Sequence, residues 1–273
     1  IKQGIYYFDT ANIYSHGNSE CLLSRVLRHN RRSLFISSKA GLEWTSLNTV
    51  SHNASPLALK NSCYSSLERL NTDYLDLFSL HYPDPNTPIE ESLQALQDLK
   101  SEGVIRYWGI SNFTEEQIKS YVSPQDLIPH QLLFNPRSPN ISLLKAGLSA
   151  NRCINYTYSP LSQGLLGLGR SHKGLSSLGK KDVRQRNFFF KDPATLKWAS
   201  QLHTLAQDCE LPLPVLIYLW ILSFESINSI IVGPRELSQL QIIHSLIKHL
   251  SIHNICLHDR TKIRAKIQKI SGP

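Results

Sequence analysis

Four residues able to move a proton together stand at the ends of successive apolar runs: Asp9, Tyr14, Lys39 and His81. A phenol ordinarily titrates near 10, so alone it is a poor proton donor near neutrality, and an ammonium beside it favours the phenolate. Lys39 is the candidate ammonium. A buried lysine sheds its proton unless a carboxylate holds it, which gives Asp9 a purpose. His81 is then available to donate to, or orient, a carbonyl oxygen beside the phenol. Together the four are equipment for reducing an aldehyde or ketone.

The elements that must position them alternate. The stretch Tyr6 to Tyr14 reads as a short aromatic strand running into an acid, the run Ser33 to Ser38 stops at Lys39, and Tyr74 to Leu80 stops at His81. Further strands are expected over Val104 to Ile110, Gln131 to Phe134, Ile154 to Tyr158 and Ser229 to Val232. Helices are expected between them. One begins at Glu20, one runs from a Ser55-Pro56 cap to Leu70, one spans Ile89 to about Lys100, and one opens at Thr114 with a capping-box pattern. Ala40 to Ser55 reads as a loop. Seven strand candidates alternating with helices predict parallel βα units, and polar residues at the C-terminal strand ends predict the site. The expectation is α/β: a (β/α)8 TIM barrel, parallel, with the first strand missing upstream of Ile1, forming a single domain over 1–273. A doubly wound sheet lacks its phosphate fingerprint, because Gly164, Gly167 and Gly169 have the wrong spacing.

Composition sets outer bounds. The chain has 273 residues, 41% of them hydrophobic, and no methionine. The five cysteines are scattered without a C-x-x-C pair, which favours reduced thiols and a cytoplasmic protein over a disulfide framework or zinc site. The longest apolar run, Val215 to Leu222, is far short of a membrane span and reads as a buried helix. A net charge of +8 is compatible with phosphate-bearing ligands, but the basic residues are dispersed, so no nucleic-acid partner is expected. His244, His249, His253 and His258 do not keep one helical face, and no metal is expected.

In their order, Phe8-Asp9-Thr10-Ala11 with Tyr14, Ser38-Lys39, Leu80-His81 with Pro83, and Gly109-Ile110-Ser111-Asn112-Phe113 resemble the motifs of the aldo-keto reductase family. The resemblance covers nearly the whole chain. It implies a catalytic tetrad of Asp9, Tyr14, Lys39 and His81 acting on a small-molecule carbonyl substrate, with Tyr14 as general acid. It also implies a nicotinamide cofactor, NADP(H), with NAD(H) left open. Ser111, Asn112 and Gln131 match the positions that hold the nicotinamide carboxamide, and Tyr158 matches the aromatic that stacks on the ring. Ser159, Leu161 and Gly164 lie in a segment similar to the family's pyrophosphate-binding one, while Gly233, Arg235 and Gln239 resemble the grip on the adenosine 2′-phosphate. The family often carries Glu-Asn where this chain has Ile242-Ile243, which removes two polar adenine contacts.

Two further expectations come from particular stretches. Pro83 to Pro88 and Tyr107-Trp108-Gly109 resemble the potassium-channel β-subunit branch, which makes a cofactor-binding regulatory subunit with an oligomeric partner the alternative; an inactive degenerate relative is a third reading. That branch often lacks a histidine at the position of His81, so its presence argues for turnover. The segment Gln163 to Phe190, basic at Arg170, Lys173, Lys180, Lys181, Arg184 and Arg186, is expected to close as a lid over the cofactor pyrophosphate, with backbone N–H donors near Gly164.

Overall fold

A computed structural model of the chain describes residues 1, 4–46, 49–123, 127–144, 153–167, 182, 184, 190–252 and 257–270, with backbone alone at 46, 245–252 and 257–261. The chain falls into two compact units, Ile1–Leu132 with Lys145–Ile154, and Leu133–Leu144 with Asn155–Pro273.

The first unit runs β1 (Tyr7–Asp9), α1 (Asn18–Leu27), β2 (Phe35–Ala40), a hairpin of β3 (Leu42–Ser46) and β4 (Thr49–His52), α2 (Pro56–Leu70), β5 (Leu75–Leu80), α3 (Ile89–Ser101), β6 (Ile105–Ser111), α4 (Glu115–Tyr121) and β7 (Ile128–Leu133). Strands β1, β2, β5, β6 and β7 lie side by side in that order, all parallel. Their register decides where the chemistry sits. Asp9 pairs with Ser37, Lys39 with Ser79, Leu80 with Ile110 and Ser111 with Gln131, so Asp9, Lys39, His81, Ser111 and Gln131 gather at one edge of the sheet. Gly109 permits this approach: a Cβ there would stand 2.7 Å from the Pro129 carbonyl oxygen and 2.8 Å from Ser79 Oγ.

Local sequence explains the helices. Pro56 at the first turn and the Ser55 hydroxyl, which accepts the Ala58 N–H at 3.4 Å, open α2. Its buried residues, Leu59, Cys63, Leu67 and Leu70, recur at three to four positions, which gives the helix one apolar face. Thr114 and Gln117 make the expected reciprocal capping box at α4.

The second unit holds β8 (Cys153–Tyr158) from Asn155 onward, α5 (Pro193–Asp208), α6 (Leu213–Ile221), β9 (Ser229–Ile230), α7 (Leu237–Ile252) and α8 (Leu257–Ile270). β8 and β9 are parallel. Every residue of α6 is buried, as the apolar run predicts, and Trp220 stacks on Phe134 at 5.2 Å while Phe224 meets both rings edge-on. The Asp192 carboxylate caps α5 by accepting the Ala194 and Thr195 N–H groups.

Three element expectations need correction. Ala40 to Ser55 is not a loop, because the β-formers Trp44 and Val50 face one another across the β3–β4 hairpin. The strand expected from Gln131 begins three residues earlier, at Ile128, and the one expected to reach Val232 is a regular strand only over Ser229–Ile230. Pro129 hid the first start, since proline lowers strand propensity.

Candidate active site

The tetrad assembles within the first unit. Lys39, 1% exposed at the end of β2, donates from Nζ to Asp9 Oδ2 at 2.6 Å and to the Thr10 carbonyl at 2.7 Å. Its ammonium stands 5.1 Å from the centre of the Tyr14 ring, and that ring meets the His81 ring edge-on at 5.9 Å. Tyr14 is 39% exposed, so the phenol lies between solvent and a buried ion pair. Burial pulls the lysine's affinity for its proton down, but Asp9 and then Tyr14 pull it up, and the balance lies above the ordinary value. Lys39 is therefore charged. For His81, burial and then the Lys39 charge act in the same direction, lowering its pKa from 6.5 to about 3. The imidazole is neutral near pH 7. Its Nδ1 is buried with no partner among the described residues, and its backbone N–H donates to the Ala40 carbonyl at 2.7 Å.

Residues expected at the nicotinamide carboxamide surround this core. Ser111 is 1% exposed at the end of β6, and Asn112 follows with φ 61°, a left-handed conformation that an asparagine tolerates. Asn112 Nδ2 donates to the His81 carbonyl and to Ser111 Oγ, both at 3.0 Å. Gln131 is on β7, and its Nε2 donates to Asp9 Oδ1 at 2.7 Å, so the two Asp9 oxygens are shared between Lys39 and an amide.

The second unit holds the remaining expected positions. Ser159 follows β8 with φ 52°, and its carbonyl accepts from Asn135 Nδ2 at 3.1 Å; Phe134 N–H donates to the Tyr158 carbonyl at 3.4 Å. Leu161 to Gly167 form a tight turn with Ser162, Gln163 and Gly164 all at positive φ. Its Gly164, Leu165, Leu166 and Gly167 N–H groups all donate to carbonyls inside the turn. Arg184 Nη1 donates to the Gln163 carbonyl at 3.1 Å, and a Cβ on Gly164 would stand 3.0 Å from that nitrogen. Asp182 binds Arg184 through both carboxylate oxygens and reaches Arg235 Nη1 at 3.4 Å. These bonds, Arg184's first, hold the Asp182 carboxyl well below the usual carboxylate range. Gln239 Oε1 accepts the Arg235 N–H at 2.8 Å, and Gly233 has open space where a Cβ would point. Of the expected lid, Arg170, Lys173, Lys180, Lys181 and Arg186 lie outside the described residues.

The profile of the Aldo/keto reductase family matches residues 1–255. The chain belongs to the aldo/keto reductase family. It is 29% identical over 255 residues to the NADH-specific methylglyoxal reductase of Escherichia coli, covering 87% of this chain and 77% of that protein. It is 27% identical over 258 residues to a probable voltage-gated potassium channel subunit beta of Arabidopsis thaliana, covering 87% of this chain and 76% of that one. Among solved structures it resembles the glycerol dehydrogenase of Gluconobacter oxydans, with a TM-score of 0.80 and 26% identity over 100% of this chain and 84% of the other. The fold expectation is borne out: the parallel βα units belong to the barrel of this family. The aldo/keto reductase membership supports an oxidoreductase and carbonyl reduction in general.

Sequence reasoning missed a second buried network beside the tetrad of this aldo/keto reductase. Glu20 on α1 is fully buried, accepting from Ser38 Oγ at 2.6 Å and from Arg69 Nε at 2.7 Å. Glu20 had been read only as a helix start, and an acid inside an apolar helical pattern was the available signal. Among the described residues, no group of three or more histidines, cysteines or acids could hold a metal, and no helix is long and apolar enough to cross a membrane.

Proposed function

We propose that the protein reduces an aldehyde or ketone, or oxidises the corresponding alcohol, with Tyr14 as the general acid and a nicotinamide cofactor as the hydride source. The carrying observation is the charged Lys39, held by Asp9 at 2.6 Å and lying 5.1 Å from the Tyr14 ring beside a neutral His81. Such a cation stabilises the phenolate left when Tyr14 gives its proton to the developing alkoxide, and the neutral imidazole has one N–H to orient the carbonyl oxygen. Asp9 keeps the lysine charged, and Gln131 keeps Asp9 in place.

The residues present suit the cofactor. The Ser111 hydroxyl and the Asn112 and Gln131 amides are the donors and acceptors that a carboxamide requires, gathered beside Asp9. When bound, the cofactor supplies the hydride. In the second unit Tyr158 is assigned to the ring, Ser159, Leu161 and Gly164 to the pyrophosphate, and Gly233, Arg235 and Gln239 to the adenosine end. Arg235 offers a guanidinium suited to a 2′-phosphate, which favours NADP(H). The Escherichia coli relative is NADH-specific by name, so both cofactors belong in the assay.

A regulatory role with little turnover is the second reading, favoured by the likeness to the Arabidopsis channel subunit. His81 beside Tyr14 favours catalysis. The free thiols Cys21, Cys63 and Cys209 among the described residues, with burial pushing the Cys63 thiol up to about 12, support a reducing, cytoplasmic setting. Steady-state oxidation of NADPH and NADH with a panel of aldehydes and ketones tests the proposal. Turnover that is lost in Tyr14→Phe supports it; cofactor binding without turnover on any of the panel assigns the regulatory role instead.

A further inference from the structure

A cavity of about 530 Å³ lies in the first unit between the loop after β1, the β3–β4 hairpin and α2. That volume is in the range of small-molecule sites. None of Asp9, Tyr14, Lys39 and His81 lines it, so it is not the reaction site described above. We propose that this cavity is a second binding site, for a small neutral polyhydroxylated molecule such as a polyol or sugar.

The wall chemistry carries the assignment. On α2, Asn61, Ser62 and Ser65 line the cavity, and their side chains make no hydrogen bond among the described residues. Across from them, Asn53 Nδ2 donates to Glu43 Oε2 at 3.0 Å, and the Ser55 hydroxyl donates to Asn53 Oδ1 at 2.9 Å, which fixes those acceptors in advance. Trp44 and His16 stack at 4.2 Å to give an aromatic rim, pinned by the Trp44 indole N–H donating to the Ile13 carbonyl at 2.9 Å. Hydroxyls, amides and a carboxylate beside aromatic rings match the alternating O–H and C–H surface of a polyol.

The site is built and not merely lined. Arg69, on the cavity wall, is immobilised by the fully buried Glu20 at 2.7 Å and by Ser66 Oγ at 3.3 Å. Gly17 makes room for it, since a Cβ there would stand 2.7 Å from Arg69 Cδ. Ser15, His16 and Gly17 are all left-handed, at φ 52°, 54° and 81°, and this strained turn is what holds His16 against Trp44. Charge then selects the ligand class. Glu20 offsets Arg69, and Glu43, which already accepts from Asn53, leaves a single negative charge on the wall, so an anion is disfavoured and the neutral hydroxyls and amides make up most of the polar lining. The same Glu20 accepts from Ser38 beside Lys39, which links the cavity wall to β2.

The test follows the Trp44 indole N–H resonance, assigned with Trp44→Phe, during titration of the full chain with D-sorbitol, D-glucose and, separately, inorganic phosphate. The expected result is a saturable shift with the first two and none with phosphate. Asn61→Lys and Ser65→Leu should each weaken binding about tenfold or more, the effect of removing a hydrogen-bonding group and filling its space. Both variants should keep the parent's melting curve and carbonyl reduction. Tyr14→Phe should retain the shift, which separates this site from the reaction site even if Tyr14 proves to have no catalytic role. A shift that does not saturate, that survives in both α2 variants, that disappears in Tyr14→Phe, or that is larger with phosphate overturns the proposal.

Discussion

At the scale of single residues, the ion pair of Lys39 and Asp9 explains why the phenol beside it is useful. Under the proposal that Tyr14 delivers the proton, Tyr14→Phe should lower kcat by about 10²–10⁴-fold while leaving cofactor binding nearly unchanged. Stopped-flow turnover with fluorescence titration of cofactor separates the two; near-normal turnover removes Tyr14 from its role. Lys39 and Asp9 serve one network and are 1% and 10% exposed in their side chains, so removing either leaves the other buried without its partner. Lys39→Met and Asp9→Asn should each cost roughly 3–5 kcal/mol of stability, and their double mutant should cost far less than the sum. A double-mutant cycle by urea denaturation checks this, and simple additivity contradicts it. His81 gives a pH signature. Its folded pKa of about 3 lies below the ordinary 6.5, so the unfolded chain binds the extra proton between those values. Stability should therefore fall as pH drops from 6.5 toward 3, at a slope of at most about 1.4 kcal/mol per pH unit from this group. His81→Asn should flatten that limb of the stability curve.

At the scale of elements, the sequence exposed the strand ends better than the strands. Asp9, Lys39 and His81 were conspicuous because each interrupts an apolar run with a group that is costly to bury, and parallel register turned three such interruptions into one edge. Caps at Ser55 and Thr114 were legible for a local reason: a side chain accepting an N–H three residues on requires nothing from the rest of the fold. The β3–β4 hairpin was not. It is short, flanked by Gly41 and Asn53, and stabilised by cross-strand pairs whose register no alternation announces. Glu20 and Arg69 were illegible in the same way, lying 49 positions apart, so only the packing of α1 on α2 reveals the pair. Gln131 shows the limit of carrying a role over by position. It is expected at the carboxamide, and in the structure its amide reaches Asp9 across a sequence separation of 122. The turn after β8 bears on the lid expectation. Since the N–H groups of Gly164 to Gly167 are consumed within the turn, a closing segment would have to supply cationic side chains more than backbone donors. Saturating NADPH should then protect Arg170, Lys173, Lys180 and Lys181 from trypsin, read by mass spectrometry of the fragments. Equal cleavage with and without cofactor rules the lid out.

At the scale of the whole molecule, a net charge of +8 meets a cofactor that is itself multiply anionic. The basic residues are dispersed, so their effect is a field over the surface more than a set of contacts, and it should be felt mainly in the rate of encounter. Such a field is screened beyond about 10 Å at 0.1 M salt, whereas an ion pair inside a site is screened much less. Two contributions to cofactor affinity can therefore be told apart. Raising sodium chloride from about 20 to about 300 mM should slow cofactor association several-fold and leave dissociation nearly constant. The effect should be steeper for NADPH than for NADH, because the 2′-phosphate adds charge to the same field. Arg235 is 61% exposed and already 3.4 Å from the Asp182 carboxylate, so it is a rim charge whose partner competes with a phosphate. Arg235→Leu should consequently reduce the NADPH association rate and its salt slope more than those of NADH, with a smaller effect on dissociation. Stopped-flow binding at several ionic strengths measures all four rates. Salt-independent association of both cofactors would show that the net charge plays no part in their capture.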